Sequence, residues 1–273
     1  MIQPTIAFIG GGNMARSLIG GLVAQGMPPE RIRVAEPVDA PREALASGFR
    51  VRTFRTAAEA VEGAGAWLFT IKPQVMRTVC ESLAPLAQAG KPLVVSVAAG
   101  ITSVQLEHWL GDGLAVVRAM PNTPALLGAG ATGLYANANV DANGRSIVEQ
   151  LLAAAGPTTW IGDEAQMDAV TALSGSGPAY VFLLAEAMID AGIGEGLTPD
   201  AARALALQTV LGAARMLVES GEAPGELRTR VTSPNGTTQA ALESFERDGF
   251  RAIVARAIHA ARVRGGELSA MND

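Results

Sequence analysis

Cysteine, histidine and lysine are scarce in this sequence of 273 residues, which contains one cysteine, two histidines and two lysines. With Cys80 alone, an internal disulfide bond is excluded, and so few cysteines and histidines do not supply the ligands of a structural zinc site. Aromatic residues amount to 4% and charged residues to 17%, whereas hydrophobic residues make up 49%. This composition excludes a disordered chain and is sufficient for a packed core.

Excess positive charge is also absent, because 21 basic and 26 acidic residues give a net charge of −5 at pH 7. A nucleic-acid-binding protein usually shows a basic face, so we expect no nucleic-acid partner. The chain opens on an apolar strand and not on the basic and apolar regions of a signal peptide, and no uninterrupted apolar run of about 18 residues occurs. We therefore expect no membrane-spanning segment and a cytoplasmic location.

Short β-rich runs alternate with helical patterns over the first 160 residues. Candidate strands lie at Thr5–Gly10, Ile32–Glu36, Arg50–Thr53, Ala66–Thr70, Pro92–Val97, Leu114–Ala119, Gly133–Ala136 and Thr158–Ile161. Helical patterns lie at Met14–Gln25, Ala40–Ala46, Ala57–Val61, Val75–Ala87, Val104–Trp109 and Gly144–Ala155. This alternation predicts an α/β fold with right-handed crossovers and a mostly parallel sheet covered on both faces.

The strand signal disappears after Gly162, and the periodicity becomes helical from Glu164 onward. Predicted helices include Ala179–Ala191, Pro199–Glu219, Gly225–Val231, Thr237–Arg247 and Phe250–Gly265. We therefore place a sheet domain at residues 1–162 and an all-α helical bundle domain at residues 163–273. Because a module of about 110 residues has little interior in which to bury so many apolar positions, we favour a helix-mediated homo-oligomer over a compact bundle packed on the sheet domain.

The strongest local motif is Phe8-Ile-Gly10-Gly-Gly12-Asn-Met-Ala15, which matches G-x-G-x-x-G/A between a predicted strand and a predicted helix. Gly10 suits a tight turn, Gly12 lets a pyrophosphate approach the backbone, and Ala15 lets the helix pack closely on the strand. A glycine-rich turn without a ligand is the weaker alternative. We therefore predict a Rossmann-type dinucleotide-binding domain. Its glycine loop would bind the cofactor through Gly10, Gly11, Gly12, Asn13, Met14 and Ala15.

The end of the second predicted strand provides Glu36, which lies 21 residues after Ala15 (36 − 15). A carboxylate near this spacing usually binds the adenosine ribose hydroxyls and favours NAD over NADP. Arg33 and Arg42, however, are close enough in sequence to bind the 2′-phosphate of NADP. The choice between NADH and NADPH stays open.

Three further motifs follow strands of the predicted parallel sheet, where ligands bind in open α/β folds. In Ile71-Lys72-Pro73, the lysine could contact the nicotinamide ribose or a bound anion. The alternative is a lysine that is only solvated in a loop. The Arg118–Pro124 segment either shapes a nicotinamide pocket or ends its strand. From these motifs and from Ser96–Gly100 we take as candidate cofactor-binding residues Lys72, Pro73, Ala98, Ala99 and Asn122.

Two loops in the helical half are the remaining candidate ligand-binding segments. In Leu173–Tyr180 we expect one helix to end and another to begin, with Ser176 as its N-cap and Pro178 in its first turn. Ser233–Thr238 precedes the predicted helix at Gln239–Arg247, and free N–H groups at such a helix end can bind a small carboxylate. Ordinary helix capping is the alternative for both.

These motifs, in this order and spacing, resemble the Δ1-pyrroline-5-carboxylate reductase family over essentially the whole chain. The stretch from Pro224 through Glu246 is similar to that family's signature. The resemblance implies reduction of 1-pyrroline-5-carboxylate to L-proline with NADPH or NADH, which is the last step of proline biosynthesis. It also implies a homodimer or a larger homo-oligomer.

The resemblance further implies roles for individual residues. The loop at Gly236, Thr237 and Thr238 binds the substrate carboxylate through backbone N–H groups, and Thr238 lies near the imine nitrogen. Glu164 corresponds to an acidic residue that lies close to the substrate in some members, and Ser176 belongs to the substrate-binding set. Two departures stand out, Asn235 where glycine is commonest and Glu36-Pro37 where many members have small polar or basic residues.

Hydride transfer to a cyclic imine requires few side chains, because the nicotinamide carries the difficult step. We expect the Thr238 hydroxyl to donate a hydrogen bond to the ring nitrogen, either relaying a proton from solvent or meeting an already protonated substrate. A β-hydroxyacid dehydrogenase would need a lysine in the helical half, and residues 163–273 contain none. A module that binds NAD(P) without catalysis is the rival from another class.

Overall fold

Eight strands form a single sheet in the computed structural model, which describes residues 4–270. The strands are β1 (Ile6–Ile9), β2 (Ile32–Ala35), β3 (Arg52–Phe54), β4 (Ala66–Phe69), β5 (Leu93–Ser96), β6 (Val116–Met120), β7 (Thr132–Ala136) and β8 (Thr158–Trp160). Their order is β3-β2-β1-β4-β5-β6-β7-β8, and every neighbouring pair is parallel except β6 and β7. The mostly parallel sheet predicted from the sequence is confirmed.

Twelve α-helices occur in the described part of the chain. They are α1 (Asn13–Ala24), α2 (Asp39–Phe49), α3 (Ala57–Val61), α4 (Pro73–Gly90), α5 (Ser103–Leu110), α6 (Ala142–Leu152), α7 (Met167–Val170), α8 (Gly177–Gly194), α9 (Pro199–Glu219), α10 (Pro224–Arg230), α11 (Thr237–Arg247) and α12 (Phe250–Ala270). Within residues 4–270 no strand follows β8, so the predicted change to an all-α second half is confirmed. The bounds of α3, α9 and α11 are those that the sequence predicted.

Side chains alternate between two apolar clusters across the sheet, because successive residues of a strand point to opposite faces. Ile6 and Phe8 of β1 pack in one cluster with α1, and Ala7 and Ile9 pack in the other with α4. All four residues of β1 are buried. The fully covered central strand explains why these runs are apolar at every position and not only at alternate ones.

The predicted end of the last helix at Gly265 is wrong, since α12 continues to Ala270. A Cβ atom built on Gly265 would lie 3.4 Å from Asp168 Oδ1, so the helix passes close to that side chain. That distance is an ordinary van der Waals contact, so Gly265 neither stops the helix nor is required by this packing.

The predicted N-cap at Ser176 is also wrong. Helical turns run on through Glu164–Gly194, with a π-helical segment at Thr171–Gly175, and Ser176 itself has helical dihedral angles (φ −84°, ψ −19°). Its N–H donates to the Thr171 carbonyl, five residues earlier, at 2.8 Å. A widened turn of this kind accommodates Pro178, which has no N–H and would clash with a regular preceding turn.

The chain divides into two compact units. The first extends to Ser176 and includes the chain again from Ala261, and the second is Gly177–Ala260. The expected division after Gly162 differs from these units, because residues 163–176 pack with the sheet through contacts such as Glu164 to Arg118.

The second unit is rich in apolar side chains that face solvent. Phe182 and Leu183 of α8 are 65% and 66% exposed, and Val218 of α9 is 84% exposed. By length and composition alone, the helices Glu164–Gly194 and Pro199–Glu219 are long and apolar enough to cross a membrane, and 11% of each tested stretch is buried. Such a surface marks a place where another molecule binds.

Candidate active site

The glycine loop after β1 is held by both neighbouring strands. Gly10 N–H donates at 3.0 Å to the carbonyl of Ala35, the last residue of β2, and the Thr70 hydroxyl donates to the Gly10 carbonyl at 2.8 Å. Gly10 has a φ of +105°, and a Cβ atom there would lie 2.8 Å from Ile71 Cγ2. Only glycine fits this position without strain, as the motif predicted.

Gly12 ends the loop as the N-cap of α1, and no side chain caps that helix. A Cβ atom built on Gly12 would meet nothing within 4 Å, whereas one on Gly11 would lie 2.6 Å from Leu45 Cδ1. The open space at Gly12 therefore faces outward, beside the free N–H groups of the first turn at Asn13 and Met14. Ala15 is fully buried, as expected for close helix–strand packing. These features fit the pyrophosphate of a dinucleotide.

The Glu36 side chain folds back onto the same loop. Its Oε2 accepts a hydrogen bond from Gly11 N–H at 3.1 Å, and its Oε1 accepts from Val38 N–H at 3.0 Å. Two backbone donors therefore orient the carboxylate at the carboxyl end of β2. Glu36 and the glycine loop therefore lie next to each other in the structure, as expected for a carboxylate 21 residues after Ala15.

The other candidate cofactor residues lie at the same edge of the sheet. Lys72 is the exposed N-cap of α4 and Pro73 its first residue. Ala98 and Ala99 lie half-buried after β5, where Ala98 N–H donates to Ser96 Oγ at 3.3 Å. Parallel β1, β4 and β5 end side by side, which places their loops at the edge where open α/β sheets bind ligands.

Asn122 has a structural contact that the sequence did not reveal. Its Nδ2 donates to the Ser174 carbonyl at 3.0 Å, and its Oδ1 accepts from Ala131 N–H at 2.9 Å. In a regular helix the Ser174 carbonyl would accept from residue 178, which is proline and has no N–H. Asn122 supplies the missing donor. The proline was the signal that such a donor was needed.

Glu164 lies in a hydrogen-bonded cluster with Arg118 and Ser103. Its Oε1 accepts from Arg118 Nη1 at 2.8 Å and from Ser103 N–H at 2.6 Å, and its Oε2 accepts from Ser103 Oγ at 2.6 Å. The Arg118 and Glu164 side chains are 8% and 19% exposed. Through Glu164, Arg118 in β6 is linked to Ser103 in the first turn of α5. The sequence did not reveal this role of Arg118, because Arg118 and Glu164 are 46 residues apart.

The Ser233–Thr238 loop in the second unit forms the predicted helix start. Asn235 has a φ of +59°, which asparagine tolerates better than most residues, and its N–H donates to Gln239 Oε1 at 2.7 Å. Gly236 is the N-cap of α11, and no side chain caps this helix. Thr237 is exposed and Thr238 half-buried in the first turn. The backbone N–H groups of this turn are available to an anion.

Thiolate chemistry is excluded for Cys80, which is buried in α4. Burial raises the pKa of the Cys80 thiol to about 12, so the thiol stays protonated at neutral pH. In the described residues no group of three or more histidine, cysteine or acidic side chains could hold a metal ion.

We expect Gly12→Val to fold and to lose dinucleotide binding. The added side chain enters open space, so it does not disturb the fold, but it fills the approach of the pyrophosphate. The dissociation constant for the nucleotide, measured by fluorescence titration, should rise by about a hundredfold or more, which is a loss of roughly 3 kcal/mol. Gly48→Val, which also enters open space but lies in α2, should bind as the parent does. Parental affinity in a folded Gly12→Val protein would refute the assignment of the loop.

We expect Arg118→Ala to lower the free energy of unfolding by about 3 kcal/mol, because it leaves the Glu164 carboxylate half-buried without its cation. Urea denaturation measures this value. Arg77→Ala is the matched control, since its ion pair with Glu81 is exposed and should contribute less than about 1 kcal/mol. Equal effects of the two changes would show that the buried pair does not stabilise the fold.

Two family models match the chain. Residues 164–268 match a model described as pyrroline-5-carboxylate reductase dimerisation, and residues 5–100 match one described as NADP oxidoreductase coenzyme F420-dependent. The second match covers β1 to β5, including the glycine loop.

Full-length relatives agree with the first of these matches. The chain is 54% identical over 269 residues to the pyrroline-5-carboxylate reductase of Pseudomonas aeruginosa, with 98% of each chain covered. It superimposes on the structure of a pyrroline-5-carboxylate reductase from Coxiella burnetii with a TM-score of 0.95 and 41% identity, covering 98% of this chain and 99% of that one. A pyrroline carboxylate reductase from Plasmodium falciparum with NADP bound gives a TM-score of 0.85 and 28% identity, with coverage of 98% and 99%. On this evidence the chain belongs to the pyrroline-5-carboxylate reductase family.

Proposed function

We propose that this protein reduces 1-pyrroline-5-carboxylate to L-proline with NADH or NADPH, the last step of proline biosynthesis. The observation that carries the proposal is the 54% identity to a reductase of this name over 98% of both chains. The open glycine loop and the uncapped start of α11 support it independently, because the first suits a dinucleotide and the second suits a small carboxylate.

The cofactor residues lie along the carboxyl edge of the sheet. The open space at Gly12 and the N–H groups of Asn13 and Met14 would accommodate the pyrophosphate at the N-terminus of α1. Gly10 and Gly11 would shape the loop, because their own N–H groups donate to Ala35 and Glu36, and Glu36 would face the adenosine ribose. The loops after β4 and β5 would flank the nicotinamide end through Lys72, Pro73, Ala98 and Ala99, with Asn122 supporting the next loop. When bound, the nicotinamide supplies the hydride that reduces C5 of the imine.

The helical part would bind the substrate. Backbone N–H groups at Thr237 and Thr238 would hold the carboxylate, since the Gly236 N–H already donates to the Ser233 carbonyl. The Thr238 hydroxyl would donate to the ring nitrogen as it becomes an amine. Ser176 and Glu164 are the remaining proposed substrate contacts. Because the Glu164 carboxylate already accepts three hydrogen bonds, its contribution would be to orient Arg118 and the start of α5.

A nucleotide-binding module without catalysis is the competing function. Like the reductase, such a module would bind NADH or NADPH through the glycine loop. Unlike the reductase, it would not need the uncapped start of α11. Oxidation of NADH or NADPH that depends on added 1-pyrroline-5-carboxylate, followed by the absorbance of the reduced nicotinamide, separates the two functions. A protein that binds the nucleotide and shows no such oxidation is not the reductase.

Thr238→Ala should lower kcat/KM for 1-pyrroline-5-carboxylate by about ten- to a thousandfold, which is the usual contribution of an acid–base or charge-assisted contact. The change removes the hydroxyl and keeps the backbone N–H groups, so carboxylate binding is retained. Thr238→Ser should recover much of the loss, and the affinity for the nucleotide should stay unchanged in both variants. Steady-state kinetics and nucleotide titration measure the two effects.

Thr229→Ala is the matched control for this experiment, because Thr229 lies in the neighbouring helix α10 and its hydroxyl donates only to the Gly225 carbonyl. We expect parental kcat/KM for this variant. If Thr238→Ala reduces the imine at the parental rate, Thr238 belongs to the helix start and not to the catalytic centre.

The helical domain, from residue 163, would also hold the protein together as a cytoplasmic homodimer or larger homo-oligomer. The family model that matches residues 164–268 describes a dimerisation region. The apolar side chains of α8 and α9 that face solvent provide the surface for it. Association with a second copy would remove this surface from water without requiring a membrane.

Light scattering of the protein purified without detergent should give twice the chain mass of 28.0 kDa, or a higher multiple of it. Leu183→Asp should shift the mass towards that of the single chain, because a charge in α8 opposes burial of the apolar face. Leu86→Asp in α4, also at an exposed leucine, should leave the mass unchanged. A mass of one chain for the parent at micromolar concentration, or a need for detergent, would contradict the proposal.

A further inference from the structure

The arginine nearest to Glu36 in β2 is not available to a cofactor phosphate. Arg33 is 8% exposed, its Nε donates to the Ala60 carbonyl at 2.7 Å, and its Nη2 donates to the Glu59 carbonyl at 2.6 Å. The guanidinium also lies 4.4 Å from the centre of the Phe54 ring. Arg33 therefore links β2 to α3 and is excluded as the ligand of a 2′-phosphate.

The other arginines at this end of the strand are occupied as well. Arg42 Nη1 donates to the carbonyls of Glu36 and Pro37 at 3.1 and 3.2 Å, and its Nη2 pairs with Asp39. The same Asp39 carboxylate pairs with Arg55 Nη2 at 2.8 Å. The hydrogen bond from Arg42 lowers the pKa of Asp39, so this carboxylate is ionised at neutral pH. One aspartate thus pairs with both cations, the largely buried Arg42 and the exposed Arg55.

The Glu36 carboxylate accepts hydrogen bonds and does not donate them. Each of its oxygens already accepts one backbone N–H, from Gly11 and from Val38, and an ionised carboxylate has about four acceptor positions. The remaining positions suit hydroxyl donors such as those of a ribose. The negative charge opposes a 2′-phosphate, which itself carries a charge of about −1.5 to −2.

We propose that this enzyme is selective for NADH, with Glu36 accepting the adenosine ribose hydroxyls and Asp39 restraining the arginines that a 2′-phosphate would need. The inference deepens the proposed function and rests on the dinucleotide site within it. The relative from Plasmodium falciparum was solved with NADP bound, so selectivity would differ within the family.

Direct binding of NADH and of NADPH to the parent protein, by calorimetry without substrate, tests the proposal. We expect NADH to bind about ten- to a hundredfold more tightly, which is the usual contribution of hydrogen bonds to a charged group. Glu36→Gln keeps one carbonyl acceptor and removes the charge, so NADPH affinity should rise and NADH affinity should fall. Glu30→Ala, an exposed carboxylate in the turn before β2, should leave both affinities unchanged.

Asp39→Ala provides a second, independent variant. It frees Arg55 and the Nη2 group of Arg42 from their shared partner, while Arg42 Nη1 stays bound to the Glu36 and Pro37 carbonyls. NADPH affinity should therefore rise, and NADH affinity should stay at the parental value. Equal or tighter binding of NADPH by the parent protein, or unchanged NADPH affinity in both variants, would overturn the proposal. The outcome is separate from that of the imine assay: nucleotide selectivity without imine-dependent oxidation refutes the proposed reaction, and oxidation with both cofactors equally refutes the selectivity.

Discussion

The turn at Gly10 is the constraint on which the cofactor site depends. One residue joins three strands there, because its N–H donates to the carbonyl of Ala35 at the end of β2 and its carbonyl accepts from the hydroxyl of Thr70 after β4. The positive φ of Gly10 lets the chain leave a buried strand and enter α1 within three residues. The free N–H groups of α1 and the side chain of Glu36 consequently meet at one place. No formal positive charge is needed to bind the pyrophosphate, which agrees with a chain whose net charge is −5.

The two units of the chain use apolar residues differently. In the first, the sheet is covered on both faces, and its apolar strands have little contact with water. In the second, α8 and α9 are apolar at many positions that face solvent, and few of their residues are buried. Small domains cannot bury all of a highly apolar sequence. The same composition that makes this unit incomplete alone makes it suitable for association with a second copy.

Polar side chains in the first unit serve mainly to complete the backbone. Asn122 supplies a donor to the carbonyl that Pro178 leaves free, and Ser103 and Arg118 together satisfy Glu164. Arg33 binds two carbonyls of α3, even though arginine in this position first suggests a phosphate ligand. Such contacts reduce the number of side chains that are available to ligands. The remaining candidates are the glycine loop, Glu36 and the exposed Lys72.

The order of strands and helices along the chain, the glycine loop and the start of α11 could all be predicted from the sequence, because each depends on residues that are neighbours in the chain. Periodicity, a cap or a turn glycine is sufficient to predict such elements. The continuous helix through Ser176, the extension of α12 past Gly265 and the hydrogen bonds of Arg33 could not be predicted in this way and are visible only in the folded chain. Partners far apart in sequence account for two of these outcomes, Asn122 for the helix at Ser174 and Ala60 for Arg33. Local propensity is a weak preference of a fraction of a kcal/mol to about 1 kcal/mol per residue, and buried packing and hydrogen bonds override it.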